Sequence, residues 1–332
     1  MTADASADEQ RWLRPDERLE TAGTFTMFPL PDGASGPTTI ALAPDGRVWF
    51  TLGTGNAIGR MNPDGTALEI FPLAHAESAP RIIALGADGN MWFSEHAGNR
   101  IGRITPSGEI AEFDIPTPVS QPRAIALGAD GNIWFGMFAA GKIGRITPAG
   151  AITEFDIPTP GSGPRALAAG PDGNVWFSEY HASKIGRITP SGEITEFSLP
   201  RENSGPGDIT AGADGDMWFL ELAGRMDGRT PDGNRVGRIT MDGDITELPI
   251  PSPTGSPINA AVGPDGNVWY SKGMALGRVT PDGVITEFDV PGPAARTVGL
   301  SAGSDRQPPE RLSNRLWFTD AVGNRIGYLS FR

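Results

Sequence analysis

The chain has 332 residues, enough for two ordinary domains or one large all-β domain. Apolar residues make up 38%, so a real core can form, while 40 acidic against 27 basic residues give a net charge of -13 that argues against general nucleic-acid binding. No cysteine is present, which removes disulfides, thiolate nucleophiles and thiolate metal sites together.

The first residues, MTADASADEQRWLRPDERLE, are polar and mixed in charge, without the apolar segment of a signal peptide. Nowhere does an apolar run reach the length of a membrane span. A cytoplasmic monomer without membrane contact is therefore expected, with residues 1–22 as a tail and residues 23–332 as one domain. The 45 glycines and 31 prolines follow no Gly-X-Y period, which points to many short strands joined by tight turns.

From residue 25 onward the chain repeats itself. An aromatic pair recurs at Trp49, Trp92, Trp134, Trp176, Trp218, Trp269 and Trp317, with spacings of 43, 42, 42, 42, 51 and 48 residues. Within residues 122–157 the unit reads PRAIALGADG, NIWFGMF, AAGKIGRITPAG and AITEFDIP, four short β-rich segments divided by Gly-containing turns. No capped helical stripe interrupts them. Seven such units predict an all-β, seven-bladed β-propeller of four-stranded antiparallel blades. Each Trp is expected to wedge between blades. The outer-strand pattern appears first at Phe25 to Leu30, ahead of the first Trp unit, and is missing after Arg325 to Phe331. The N-terminal strand should therefore complete the last blade and close the ring. Two insertions, within 222–235 and 301–315, break the period and read as surface loops.

Residues just before each first strand should line the central mouth. They are Arg81, Arg123 and Arg165, each after a proline, and then Asp208. The ends of the second strands supply Glu95, Glu179, Glu221, Lys272 and Asp320. Converging charges of this kind can hold an anion or a polar ligand, or can neutralise one another around a wet hole. His96 and His181 follow Glu95 and Glu179 closely, but in non-adjacent blades, and His75 lies in a loop; all three read as rim or surface residues. No metalloprotease, nucleophile-elbow, P-loop or Rossmann motif accompanies them.

The unit IxxPDGNxWFxExxxNKIGRITPxGxITEFxIPTPxSxP, spread over residues 25–331, closely resembles the repeat of the streptogramin B lyases, the virginiamycin B lyase family. That resemblance implies the same propeller, and an enzyme that linearises a cyclic depsipeptide by elimination across its ester bond with Mg2+ assisting. Carried over by position, the family's metal-binding Glu falls on Arg296, its catalytic His on Val298, and its substrate-contacting His on Ile258 after Pro257. Asp320 alone matches a metal carboxylate, and Arg296 joins the ligand-binding set. Two functions are thus expected to compete: a propeller binding a small anionic ligand or a protein at its mouth, and a Mg2+-dependent carbon–oxygen lyase.

Overall fold

The computed structural model describes residues 23–222, 234–253, 255–292, 296–301 and 314–331. The expected tail and nearly all of both insertions lie outside the described residues. Among the described residues twenty-eight strands form seven antiparallel sheets of four. Blade 3 is representative: its innermost strand is Pro122–Leu127, followed outward by Ile133–Met137, Lys142–Ile146 and Ile152–Asp156. The seventh blade closes the ring as the repeat count requires. Thr24–Pro29 pairs with Arg325–Ser330, Thr24 opposite Ser330 and Pro29 opposite Arg325. Among the described residues no helix is long and apolar enough to cross a membrane.

The tryptophans do act as wedges between blades. Trp134 packs with Val175, Phe177 and Ile188 of the following blade and stacks on Phe155 of its own, ring centroids 5.5 Å apart. Arg145 lies over both rings at 5.4 and 5.5 Å and donates to the Pro148-equivalent turn of the next blade, at Pro190 O, 2.8 Å away. The indole N–H is held at 3.1 Å by Asp130, whose carboxylate also accepts the Asn132 N–H and so fixes the tight turn. One aspartate thus ties a turn to a core aromatic, giving the indole the partner a buried Trp requires.

The channel wall depends on a second device. In every blade the innermost strand is bulged directly after its first residue. In blade 3, Pro122 faces Met137 and Ile125 faces Phe135, so Arg123 and Ala124 together oppose Gly136. A bulge breaks strict alternation and re-aims side chains; here it brings two neighbouring residues of one strand to the channel. It also strands backbone groups, and hydroxyls on the second strands take them up. Ser94 Oγ accepts the Ile82 N–H of its own blade at 3.2 Å and donates to Arg123 O of the next at 3.1 Å. Thr51 does the same for Thr39 N and Arg81 O (3.1 and 2.8 Å), and Thr319 for Gly299 N and Thr38 O (2.8 and 2.9 Å). Ser178 and Ser271 complete five of the seven junctions. Gly136 and Leu220 occupy the remaining two positions.

Removing one hydroxyl leaves a buried N–H and a buried C=O unpaired, so Ser94→Ala should lower stability by roughly 1–3 kcal/mol. Urea unfolding measures this directly, and an unchanged midpoint would show that the hydroxyl carries no stability.

Candidate functional site

The bulges place a ring of side chains around the top of the channel. A cavity of about 50 Å3 is lined there by Thr38, Thr39, Arg81, Ile82, Arg123, Arg165, Ala166, Asp208, Ile258, Asn259 and Val298. The three arginines that the sequence singled out therefore do meet, from three consecutive blades. They sit one residue inside their strands, in the bulge, rather than before it. Among the described residues none of the three guanidiniums makes an ion pair or a hydrogen bond. Arg123 lies 5.5 Å from the Phe138 ring centroid and Arg165 5.2 Å from that of Tyr180. Burial, then repulsion from Arg165 and Arg81, pushes the Arg123 pKa down to about 8; burial and Arg165 push Arg81 down to about 10. A guanidinium keeps its proton in a protein, so this cost stands as a positive potential in the mouth, offset in part by Asp208, which acts on Arg123 and Arg165.

Asp208 belongs to the same cavity but does not close on the arginines. In blade 5 the residue equivalent to Arg165 is Gly207, and Asp208 comes one position later. Its Oδ2 accepts from the Asn259 side chain at 2.6 Å and the Ala260 N–H at 2.7 Å. Burial raises its pKa to about 6 against the opposing pull of the Ala260 and Ile209 backbone amides and of Arg165 and Arg123. The carboxylate is committed to the next blade.

The second-strand residues are placed differently from the expectation. Glu95, Glu179, Glu221 and Asp320 are fully buried and Lys272 nearly so, and none lines the mouth. The reason is the period of two in a strand: Glu95 lies two residues beyond the core Phe93 and shares its face, so its side chain enters the blade instead of the channel. Glu95 pairs with Arg100 at 2.8 Å. Lys272 donates to Ser252 O and Oγ at 2.6 and 2.7 Å and pairs with Glu287 at 3.4 Å, beside a separate pocket of about 440 Å3 that also touches Met274 and Asp289. Arg296 is exposed on the rim.

Asp320 is the residue to which the resemblance gives a metal. Its Oδ1 accepts the Arg296 N–H at 2.8 Å and the Gly323 N–H at 2.9 Å, while Oδ2 takes both the Nε (3.0 Å) and the terminal nitrogen of Arg325. Magnesium requires several oxygen donors with free lone pairs. Here the lone pairs are spent on N–H groups, a guanidinium already neutralises the charge, and Arg296 stands where a second carboxylate would be needed. The residues present do not fit Mg2+. Among the described residues no group of three or more His, Asp or Glu could hold any metal ion.

The histidines fall in three places. His96 borders the mouth, its Nδ1 3.4 Å from Pro122 O, and burial with Arg81 and Arg123 nearby lowers its pKa to about 4, so it is neutral at physiological pH. His181 packs on the rim against Phe138 and Tyr180, ring centroids 5.2 and 5.1 Å away. His75 lies 3.3 Å from Glu112. The aromatic wall of Phe138 and Tyr180 went unnoticed in the sequence, although both residues directly follow a second strand, the position His96 occupies in blade 2.

Glu179 and Glu221 carry a consequence for stability. Among the described residues neither oxygen of either side chain makes a well-formed hydrogen bond, although Ser162 and Glu196 lie beside Glu179, and Ser204 and Glu247 beside Glu221. Burial first, and then Glu196 or Glu247 alongside, raises each pKa from 4.5 to about 8. The folded state therefore binds more protons than the unfolded chain between those values. The stabilisation is complete below about pH 4.5 and is lost as pH rises to about 8. Glu179→Gln, which keeps the shape of the protonated acid, should raise Tm by a few degrees at pH 8.5, leave it unchanged at pH 4.5, and flatten the profile between. Calorimetry across that range checks it; a parallel shift at every pH would refute a titrating carboxyl.

Comparison with known proteins agrees with the repeat. The virginiamycin B lyase family model matches residues 16–227 and 153–332. A streptogramin B lyase structure superposes with a TM-score of 0.83 at 32% identity, covering 93% of this chain and 98% of the other. Virginiamycin B lyase from Staphylococcus aureus gives 0.84 at 35% identity, over 93% and 99%. A catalytically inactive histidine-to-alanine variant of that enzyme, solved with quinupristin, gives 0.84 at 34%, with the same coverage. The virginiamycin B lyase of Bordetella pertussis is 49% identical over 41 residues, a stretch that spans only 12% of this chain and 14% of that protein. The chain belongs to the virginiamycin B lyase family.

Proposed function

We propose that this propeller binds a small anion at its central mouth and does not carry out the elimination of the family's lyases. The observation that carries the reading is the set of three arginines lining one small cavity with, among the described residues, no ion pair to any of them. Like charges held this close raise one another's energy, and a bound anion removes that cost while gaining charge-assisted, bidentate hydrogen bonds. The neutral His96 beside them adds a polar group without adding charge.

Elimination needs a base for the proton next to the carbonyl and a group that stabilises the developing charge. Ile258 and Val298, which stand in the mouth at the positions the resemblance gives to histidines, can move no proton. Asp320 is closed on Arg325. The second reading, a Mg2+-dependent lyase opening a cyclic depsipeptide ester, is favoured by the 35% identity to the Staphylococcus aureus enzyme over nearly its whole length.

The two are separated by experiment. Titration calorimetry should detect saturable binding of inorganic phosphate and of acetate, weakened tenfold or more in Arg123→Met and weakened by added salt. Absence of saturable binding by either anion would remove the anion reading. Incubation with a type B streptogramin and Mg2+ should give no ring opening above background; turnover that Asp320→Asn abolishes would establish the lyase instead.

A further inference from the structure

The mouth holds more positive charge than one monovalent anion can neutralise. Among the described residues that line its cavity, Arg81, Arg123 and Arg165 are cationic and Asp208 alone is anionic. His96 at the border adds no charge, since burial and the neighbouring arginines hold its pKa at about 4. Three guanidiniums less one carboxylate leave two positive charges, and all three count once Asp208 is protonated. A single negative charge would leave a buried guanidinium without a counter-charge, which a site of low dielectric penalises.

The charge is also concentrated at one level. The wider cavity beneath, of about 230 Å3, is lined by no cation except Arg165, which it shares with the mouth. A diacid running down the channel would therefore set its second carboxylate among Thr39, Thr210 and Asn259, with no cation to meet it. The mouth offers about 50 Å3, and one water needs roughly 10–15 Å3, so the space suits a group with a handful of oxygens.

Asp208 can act on such a ligand through its field. Its Oδ2 is held by the Asn259 side chain and the Ala260 N–H, at 2.6 and 2.7 Å. From there its charge supports those of Arg123 and Arg165, and so opposes a bound anion. Of the groups around it, Arg123 and Arg165 stay charged and Asn259 does not titrate. Glu179 and Glu221 of the second strands behind are turned into their blades and lose their protons only near pH 8, at about 8 each.

We infer that the mouth takes a compact, doubly charged oxyanion, and that Asp208 sets its affinity by its own charge. This rests on the anion reading above, and it adds the valence of the ligand and a proton coupled to its binding. Burial holds the Asp208 pKa at about 6. Affinity therefore rises as pH falls through that value, and binding takes up a proton there.

Titration calorimetry of the full chain at constant ionic strength compares sulfate and selenate with methanesulfonate, which keeps the tetrahedral shape and drops one charge. The dianions should bind about tenfold more tightly. Sulfate itself does not titrate in this range; it should bind about threefold or more tightly at about pH 5.5 than at about pH 7.5, with proton uptake near pH 6 seen as a heat that depends on the buffer. Asp208→Asn keeps an acceptor for Asn259 and Ala260. At neutral pH it should bind sulfate at least as tightly as the unaltered protein does in acid, with no remaining pH dependence. Equal affinity for sulfate and methanesulfonate overturns the divalent site but leaves the anion site standing. A loss of affinity in Asp208→Asn, or a pH dependence equal to that of the unaltered protein, overturns the role of Asp208. Sulfate binding to the unaltered protein without proton uptake does the same, which keeps the test decisive if the variant fails to fold. No binding by any of the three anions removes both readings.

Discussion

The ring depends on a hydroxyl that serves two blades. Bulging the innermost strand is what presents paired side chains to the axis, but a bulge costs ladder hydrogen bonds, and the broken groups are buried where water cannot repair them. A serine or threonine on the second strand resolves this by accepting from its own blade and donating to the next. Strain in the wall of the site is thereby converted into cohesion between blades. It also means that the carbonyls of Arg81 and Arg123 are fixed from behind by Thr51 and Ser94. The arginine backbones are positioned by the scaffold, independently of any ligand.

Two junctions lack the hydroxyl, and each has a distinct surrounding. Between blades 5 and 6, where Leu220 stands, Asp208 reaches across to Asn259 and the Ala260 N–H, and Asn259 reaches on to Leu300. A carboxylate thus does from the channel side what a serine does elsewhere from within the blade, and is withdrawn from the arginines in doing so. Between blades 3 and 4, where Gly136 stands, the space is tight: a Cβ there would lie 2.9 Å from Pro164 O. That junction bears Arg165, which rests on Tyr180 instead.

Much of this was legible in advance, and the boundary is physical. The seven-bladed ring and its clasp followed from counting strand patterns, because a missing outer strand at one end of the chain and a surplus one at the other have a single economical solution. The arginines could be grouped because each follows a proline at the same point of the repeat. Glu95, Glu179 and Glu221 could not be placed, since a residue at a strand's end reads as a loop charge until the alternation is traced back to Phe93, Phe177 and Phe219. Asp208 looked like the fourth member of the arginine series, yet Gly207 holds that position and the aspartate is one step further round. The hydroxyls of the WFT, WFS and WYS segments were visible, but their role is a relation between blades that no single repeat contains.

The separation of faces explains how a chain can keep this ring while altering its centre. The tryptophan wedges, the arginines stacked on them and the hydroxyls lie on one face of each blade, and the buried carboxyls lie with the core phenylalanines on the other. The first residue of each bulge turns towards the channel instead. A substitution there alters the mouth's charge without opening a void in the core or breaking a blade junction. Ile258 and Val298 can therefore stand at positions where the resemblance would put histidines, at little cost to folding. Fold similarity across nearly the full chain, with TM-scores of 0.83 and 0.84, then speaks to the wedges and relays. What the mouth does is decided by the few side chains that the bulges hold out to it.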